Sequence, residues 1–347
     1  MTRTQGAGRR AAAALVATVA LAALASAPGA LAAPASKPSV RPGAFVYVAN
    51  LRSDTVSVID IRTDAVVDSV RVGDGPDSVA VTPDGSHVYV TNSAADTVSV
   101  IEARTRTVVD TIAVGEEPSR VTISPDGRHA YVANVRSDDV SVISTRTREV
   151  THTIKVGDSP LGLAVLPDGS RLYVANAASD DVSVVRTDTN TVVGTVPVGN
   201  GPTALALTPN GRRLYVSDLT SNDLSVIDTR GSTVTARIPV GVQPAGIGAG
   251  PDGCHVYVAN IGSNSVSVIS TRTHGVTDTI EVGAGPNGLA VSPDGSQVYV
   301  SEFDTDRVSV IDTAAARVTG TVPVGEGPTG VAVTPRRPGP GPTGCPC

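Results

Sequence analysis

The chain has 347 residues, a formal net charge of -6, 35 glycines, 25 prolines, no tryptophan and two phenylalanines. An acidic protein so poor in aromatics lacks bulk attraction for phosphate and nearly all the stacking faces that nucleic acids and sugars require, so both partner classes are disfavoured. Three cysteines are too few for a disulfide scaffold, and the length that would otherwise suggest two domains is also compatible with a single ring of repeats.

In chain order, Arg3, Arg9 and Arg10 precede an apolar run from Ala11 to Ala25, and small residues follow at Ala30 and Ala32. This is the pattern of a secretory signal peptide over residues 1–32, cleaved after Ala32. Its apolar run is shorter than the ~20 residues of a membrane span, and no later segment is continuously apolar. The expectation is an exported, extracellular or cell-surface protein with no membrane span. A short linker, residues 33–43, leads into the repeats.

From Tyr47 onward a tetrapeptide recurs every 42 residues: Tyr-Val-Ala-Asn at Tyr47, Tyr131, Tyr173 and Tyr257, with variants at Tyr89, Tyr215 and Tyr299. A period in this range signals a propeller, solenoid or array. Each unit contains four short runs rich in Val, Ile, Thr and Tyr, bounded by turn residues and without helical periodicity, and so predicts four strands, here termed a to d. Pro-Asp-Gly or Pro-Asn-Gly predicts the a–b hairpin turn, and Val-Gly-x-x-Pro the d–a connection. The chain enters at strand b and leaves on an unpartnered strand a at residues 329–335, so every strand has seven copies only if the two ends pair. Pairing them removes the open edge. The predicted fold is an all-β, seven-bladed propeller of four-stranded antiparallel blades over residues 44–335, followed by a Pro/Gly/Cys tail, residues 336–347.

The tetrapeptide, its spacing and the Val-Ser-Val-Ile-Asp, Val-Gly-x-x-Pro and Pro-Asp-Gly blocks resemble the YVTN-type β-propeller repeat family of secreted and surface proteins. That resemblance spans nearly all of the repeat region and implies the propeller fold. It does not imply one activity, because similar propellers include surface-layer proteins, lactonases, haem-binding domains and DNA-binding proteins.

Alternate turns lie on opposite faces of such a disk, and the face formed by the b–c and d–a loops carries most of the acids. The residue four after the tetrapeptide Asn is acid or amide in all seven blades (Asp54, Asp96, Asp138, Asp180, Asn222, Asn264 and Asp306), which predicts a turn-capping role. Ligand contacts are expected where blades differ instead, at Asp77, Arg120, Leu161, Asn287, Asp218 and Phe303. Glu302, Asp304 and Asp306 present alternating oxygens suited to Ca²⁺. Cys254 is within reach of Cys345 or Cys347 for a bridge in an oxidising exterior, free or intermolecular thiols being the alternative. Two Gly-x-Gly-x-x-Gly matches, at Gly283 and Gly325, open strands rather than helices and are not dinucleotide fingerprints. No histidine falls near the expected channel mouth, which disfavours haem, zinc and Ser-His-Asp chemistry.

The sequence therefore leads to a monomeric, non-catalytic binding or surface scaffold whose partner is a protein or small molecule, of cationic character, with Ca²⁺ as the one cofactor in view. The alternative is a propeller enzyme, lactonase-like or lyase-like, acting at the channel mouth through Asp77, Arg120, Asn287 and Glu302.

Overall fold

The computed structural model of the protein describes residues 44–335, which form seven four-stranded antiparallel sheets. The predicted signal peptide, the linker and the C-terminal tail lie outside the described residues. Among the described residues no helix is long and apolar enough to cross a membrane.

Blade 1 contains β1 (Phe45–Asn50), β2 (Thr55–Asp60) and β3 (Ala65–Arg71), and blade 2 contains β4 (Pro76–Val81), β5 (His87–Asn92), β6 (Thr97–Glu102) and β7 (Thr107–Ala113). Strands β8 to β27 repeat the pattern of blade 2 through blades 3 to 7, spanning residues 118–323, and β28 (Pro328–Val333) closes the ring. It pairs antiparallel with β1, Val48 opposite Val331 and Tyr47 opposite Ala332. Thr334 locks this seam: its hydroxyl accepts from Phe45 N at 2.8 Å, and its own N–H donates to Phe45 O at 2.9 Å. The last strand thus supplies the a position of blade 1, and the closed ring expected from the sequence is present.

Burial follows strand position. Strands b and c are covered on both faces because each blade packs against two neighbours, so Tyr-Val and Val-Ser-Val-Ile runs are almost wholly buried. Strand d forms the rim and buries mainly its sixth residue, as at Val70, Ile112 and Ile154. The a strands neighbour one another around the axis. Core clusters form between blades, as where Tyr89, Val98 and Val100 of blade 2 meet Val121, Ala130 and Val132 of blade 3.

The conserved-looking polar residues of the repeat build the loop face. The tetrapeptide Asn is fully buried and donates from Nδ2 to two side chains of strand c, to Thr97 at 3.0 Å and Ser99 at 2.9 Å from Asn92, and to the Asp139 carboxylate and Ser141 from Asn134. Its side chain occupies the space beside the Gly of Val-Gly-x-x-Pro. A Cβ on Gly157 would lie 2.7 Å from Asn176 Cγ, and the same conflict recurs in every blade. That glycine is therefore required by close approach rather than by an unusual φ. The capping acid or amide takes positive φ in all seven blades, and its Oδ1 accepts from a backbone N–H of the following d–a loop, as in Glu117 N to Asp96 at 2.8 Å. This bears out the turn-capping expectation, with the cap reaching into the next blade's loop.

Candidate functional site

The entrance to the channel is formed where each a strand leaves its proline. The second residue after that proline is Ser78, Gly162, Ala204, Gly246, Gly288 or Gly330 in six blades, and Arg120 in blade 3. In the four blades with glycine there, the next blade's backbone leaves no room for a Cβ. A Cβ on Gly246 would stand 2.3 Å from Asn287 O, and one on Gly330 2.7 Å from Asp77 O. Arg120 places a long cation at a position otherwise held to the smallest side chains, and its charge acts on Asp77 of the preceding blade without closing an ion pair.

The first residue after the proline varies more freely. Asp77, Leu161, Thr203 and Asn287 are partly open at this ring, whereas Ser119, Ala245 and Thr329 are buried. Asp77 is partly open to solvent yet densely surrounded by protein. That desolvation raises its pKa, Arg120 pulls in the opposite direction, and Glu117 adds to the rise. Burial prevails, so the carboxyl is a stronger base than an exposed aspartate. Thr203 shares the register of Asp77 but was not singled out from the sequence, because threonine is unremarkable in a strand. Its hydroxyl donates to Ser217 O at 3.2 Å.

Other expected site residues do not join this ring. Asp218 takes the tetrapeptide Asn position of blade 5 and is fully buried, so it is not a surface binding residue. Ser225 donates to its Oδ2 at 2.6 Å, its Oδ1 has no partner, and burial pushes its pKa up to about 7. Glu302 takes the same position in blade 7 and is likewise buried. It accepts from Gly283 N at 2.8 Å, from Thr305 at 2.7 Å and from Ser309, so it serves neither the channel mouth nor an open metal site. Asp306 is committed to Gly327 N at 2.8 Å, and only Asp304 of the expected calcium trio is free-standing and exposed. No group of three or more His, Cys, Asp or Glu able to hold a metal is present among the described residues. The alternation that suggested Ca²⁺ reflects one buried and one half-buried structural acid flanking one solvated one. Phe303 lies beneath Arg52, whose guanidinium carbon is 4.2 Å from the ring centroid, so its face is covered. Cys254 is disulfide-bonded, and its expected partners, Cys345 and Cys347, lie outside the described residues.

Comparison with known proteins bears directly on function. The model of the virginiamycin B lyase family matches residues 65–337. Among solved structures, Kuenenia stuttgartiensis hydrazine synthase is similar at 27% identity and a TM-score of 0.72, over 78% of this chain and 92% of that one. A 6-phosphogluconolactonase-like protein of Bacteroides uniformis superimposes with a TM-score of 0.72 at 16% identity, covering 84% and 100% of the two chains, which speaks to the fold alone. A 45-residue stretch is 51% identical to the PE-PGRS family protein PE_PGRS18 of Mycobacterium tuberculosis, but spans only 13% of this chain and 10% of that protein. The scaffold expectation is corrected by these findings: the family match and the enzymatic neighbour favour the propeller-enzyme alternative. Uniform blades and missing histidines had argued against catalysis, but an Asp–Arg pair at one blade boundary is compatible with both. Because the family model covers most of the sequence, the chain belongs to the virginiamycin B lyase family.

Proposed function

We propose that this protein is a propeller lyase whose chemistry takes place at the channel mouth, with Asp77 as general base and Arg120 as the stabilising cation. The observation that carries this reading is Arg120 itself, a guanidinium at a position kept small in the six other blades whose charge acts on a carboxyl that burial has made more basic. In an elimination, Asp77 accepts the proton of a C–H bond next to a carbonyl, a C=C bond forms, and the bond to the leaving oxygen breaks with its electron pair. Arg120 offsets the negative charge that develops on the carbonyl or on the departing group. Leu161 offers an apolar contact, and Asn287 and Thr203 offer hydrogen bonds that orient the substrate.

Elimination takes no oxygen from solvent, whereas hydrolysis does. Incubation with virginiamycin B and with simple lactones in ¹⁸O-labelled water, followed by mass spectrometry, separates the two. Unlabelled product is expected, and label in the product would replace the lyase reading with a lactonase one. Substitution Asp77→Asn should lower turnover by about 10²–10⁴-fold.

The same reading includes export through residues 1–32 and a YVTN-type repeat, both supported by the sequence features described above, and a monomeric ring. N-terminal sequencing of protein from culture medium should begin at Ala33, and size-exclusion chromatography should give a single-chain mass.

A further inference from the structure

A second site emerges from comparing the clefts between blades on the face opposite the loops just described. Between blades 2 and 3, Arg148 of the c–d turn reaches back across the boundary. Its guanidinium donates to His87 Nε2 at 3.3 Å and lies 3.9 Å from Asp110, close to Tyr89. Between blades 1 and 2, Arg106 does the same, 3.8 Å from Asp68 and with its guanidinium carbon 4.9 Å from the Phe45 ring centroid. Each cleft thus receives a guanidinium from the following blade.

Blade 6 carries the same receiving set, His255, Tyr257 and Asp278, in the positions of His87, Tyr89 and Asp110. The position equivalent to Arg148 in blade 7, however, is Ala316. A cavity of about 270 Å³ opens there, lined by these three residues and by Ala316, with Asp252 and Asp294 at its margin. Asp278 has no ion pair among the described residues and is exposed, whereas Asp68 and Asp110 each lie within 4 Å of the following blade's arginine, with side chains 12% and 39% exposed. Clefts that lack the arginine elsewhere also lack the acid: His152, Gly194, Ala236 and Gly320 stand where Asp278 stands. Only the cleft between blades 6 and 7 keeps the aspartate while losing its cation.

We infer that this cleft is a binding site for a guanidinium group supplied from outside the blade pair, which occupies the place that Arg148 fills four repeats earlier. A planar guanidinium matches the arrangement of acceptors, donating to an imidazole nitrogen and a carboxylate at once while resting against the tyrosine. The carboxylates are too dispersed to converge on a metal ion. The occupant is an arginine-like ligand or an arginine of the chain's own C-terminal segment, Arg336 or Arg337.

Calorimetric titration of the full chain with N-acetylarginine amide tests this, with the Arg336→Ala/Arg337→Ala double variant titrated in parallel. Saturable binding in either protein, weakened at least tenfold by Asp278→Asn, is the expected result. Binding seen only in the double variant assigns the cleft to the chain's own arginine. Substitution Ala316→Arg should raise Tm and abolish binding, since Ala316 already shares the positive φ of Arg106 and Arg148. Silence in both titrations, or an affinity unchanged by either Asp278→Asn or Ala316→Arg, would overturn the assignment.

Discussion

The loop frame and the channel mouth are built from neighbouring residues of the same repeat under opposite constraints. In the frame, a buried Asn or acid, a glycine without room for Cβ and a positive-φ cap recur in all seven blades, because each satisfies backbone and packing demands that every blade shares. At the mouth, the residue after the proline is unconstrained enough to be Asp, Ser, Leu, Thr, Ala or Asn. Repetition therefore marks structure, and departure from repetition marks the residues free to carry chemistry. Arg120 is the sharpest departure, since the other blades hold that position to Gly, Ala or Ser.

Substitutions can break this contrast in either direction. The largest effect is expected at the mouth: Arg120→Ala should lower kcat/KM by about 10²–10³-fold, while urea unfolding shifts by less than about 0.5 kcal/mol. A large loss of stability with unchanged turnover would erase the distinction. In the frame, Gly157→Ala drives a methyl into Asn176 and should cost about 3 kcal/mol in the same unfolding assay. Part of that loss should return in the Gly157→Ala/Asn176→Ala double variant, where a double-mutant cycle measures the coupling.

Asp218 is the frame position that departs from its sisters. Because its folded pKa is raised to about 7 from an ordinary 3.8, its contribution to stability is fully present below the unfolded value and is lost as pH rises through about 7. Asp218→Asn restores the amide found in five other blades. It should therefore stabilise the protein by about 1–3 kcal/mol at pH 8 and have little benefit at pH 4, as checked by thermal unfolding across that range. The smallest effect is expected at a cap. Asp96→Ala removes the acceptor for Glu117 N and should cost about 1–2 kcal/mol, whereas Asp96→Asn should be nearly neutral, as Asn222 and Asn264 occupy that position naturally.

Much of the architecture was legible because a repeat states its rules seven times. Tyr47 to Tyr299 fixed the period, Pro-Asp-Gly marked the hairpins, and an unpartnered strand at residues 329–335 required ring closure. The site was only half legible. Asp77 and Arg120 stood out as departures from the pattern, but so did Asp218 and Glu302, which the structure turns inward. A carboxylate replacing asparagine looks alike in sequence whether it faces water or a buried glycine. Phe303 looked free because its partner, Arg52, is about 250 residues away in the chain.

The sequence by itself determined the blade count, the strand order and the turn chemistry, since hydrophobic alternation and φ preferences act over a few residues and are written locally. Only the tertiary structure decided which side chains meet across blade boundaries. The field of Arg120 at Asp77, Asp110 beneath Arg148 and the open cleft at Asp278 depend on the stacking of sheets, and packing distance between blades is not encoded in any one repeat.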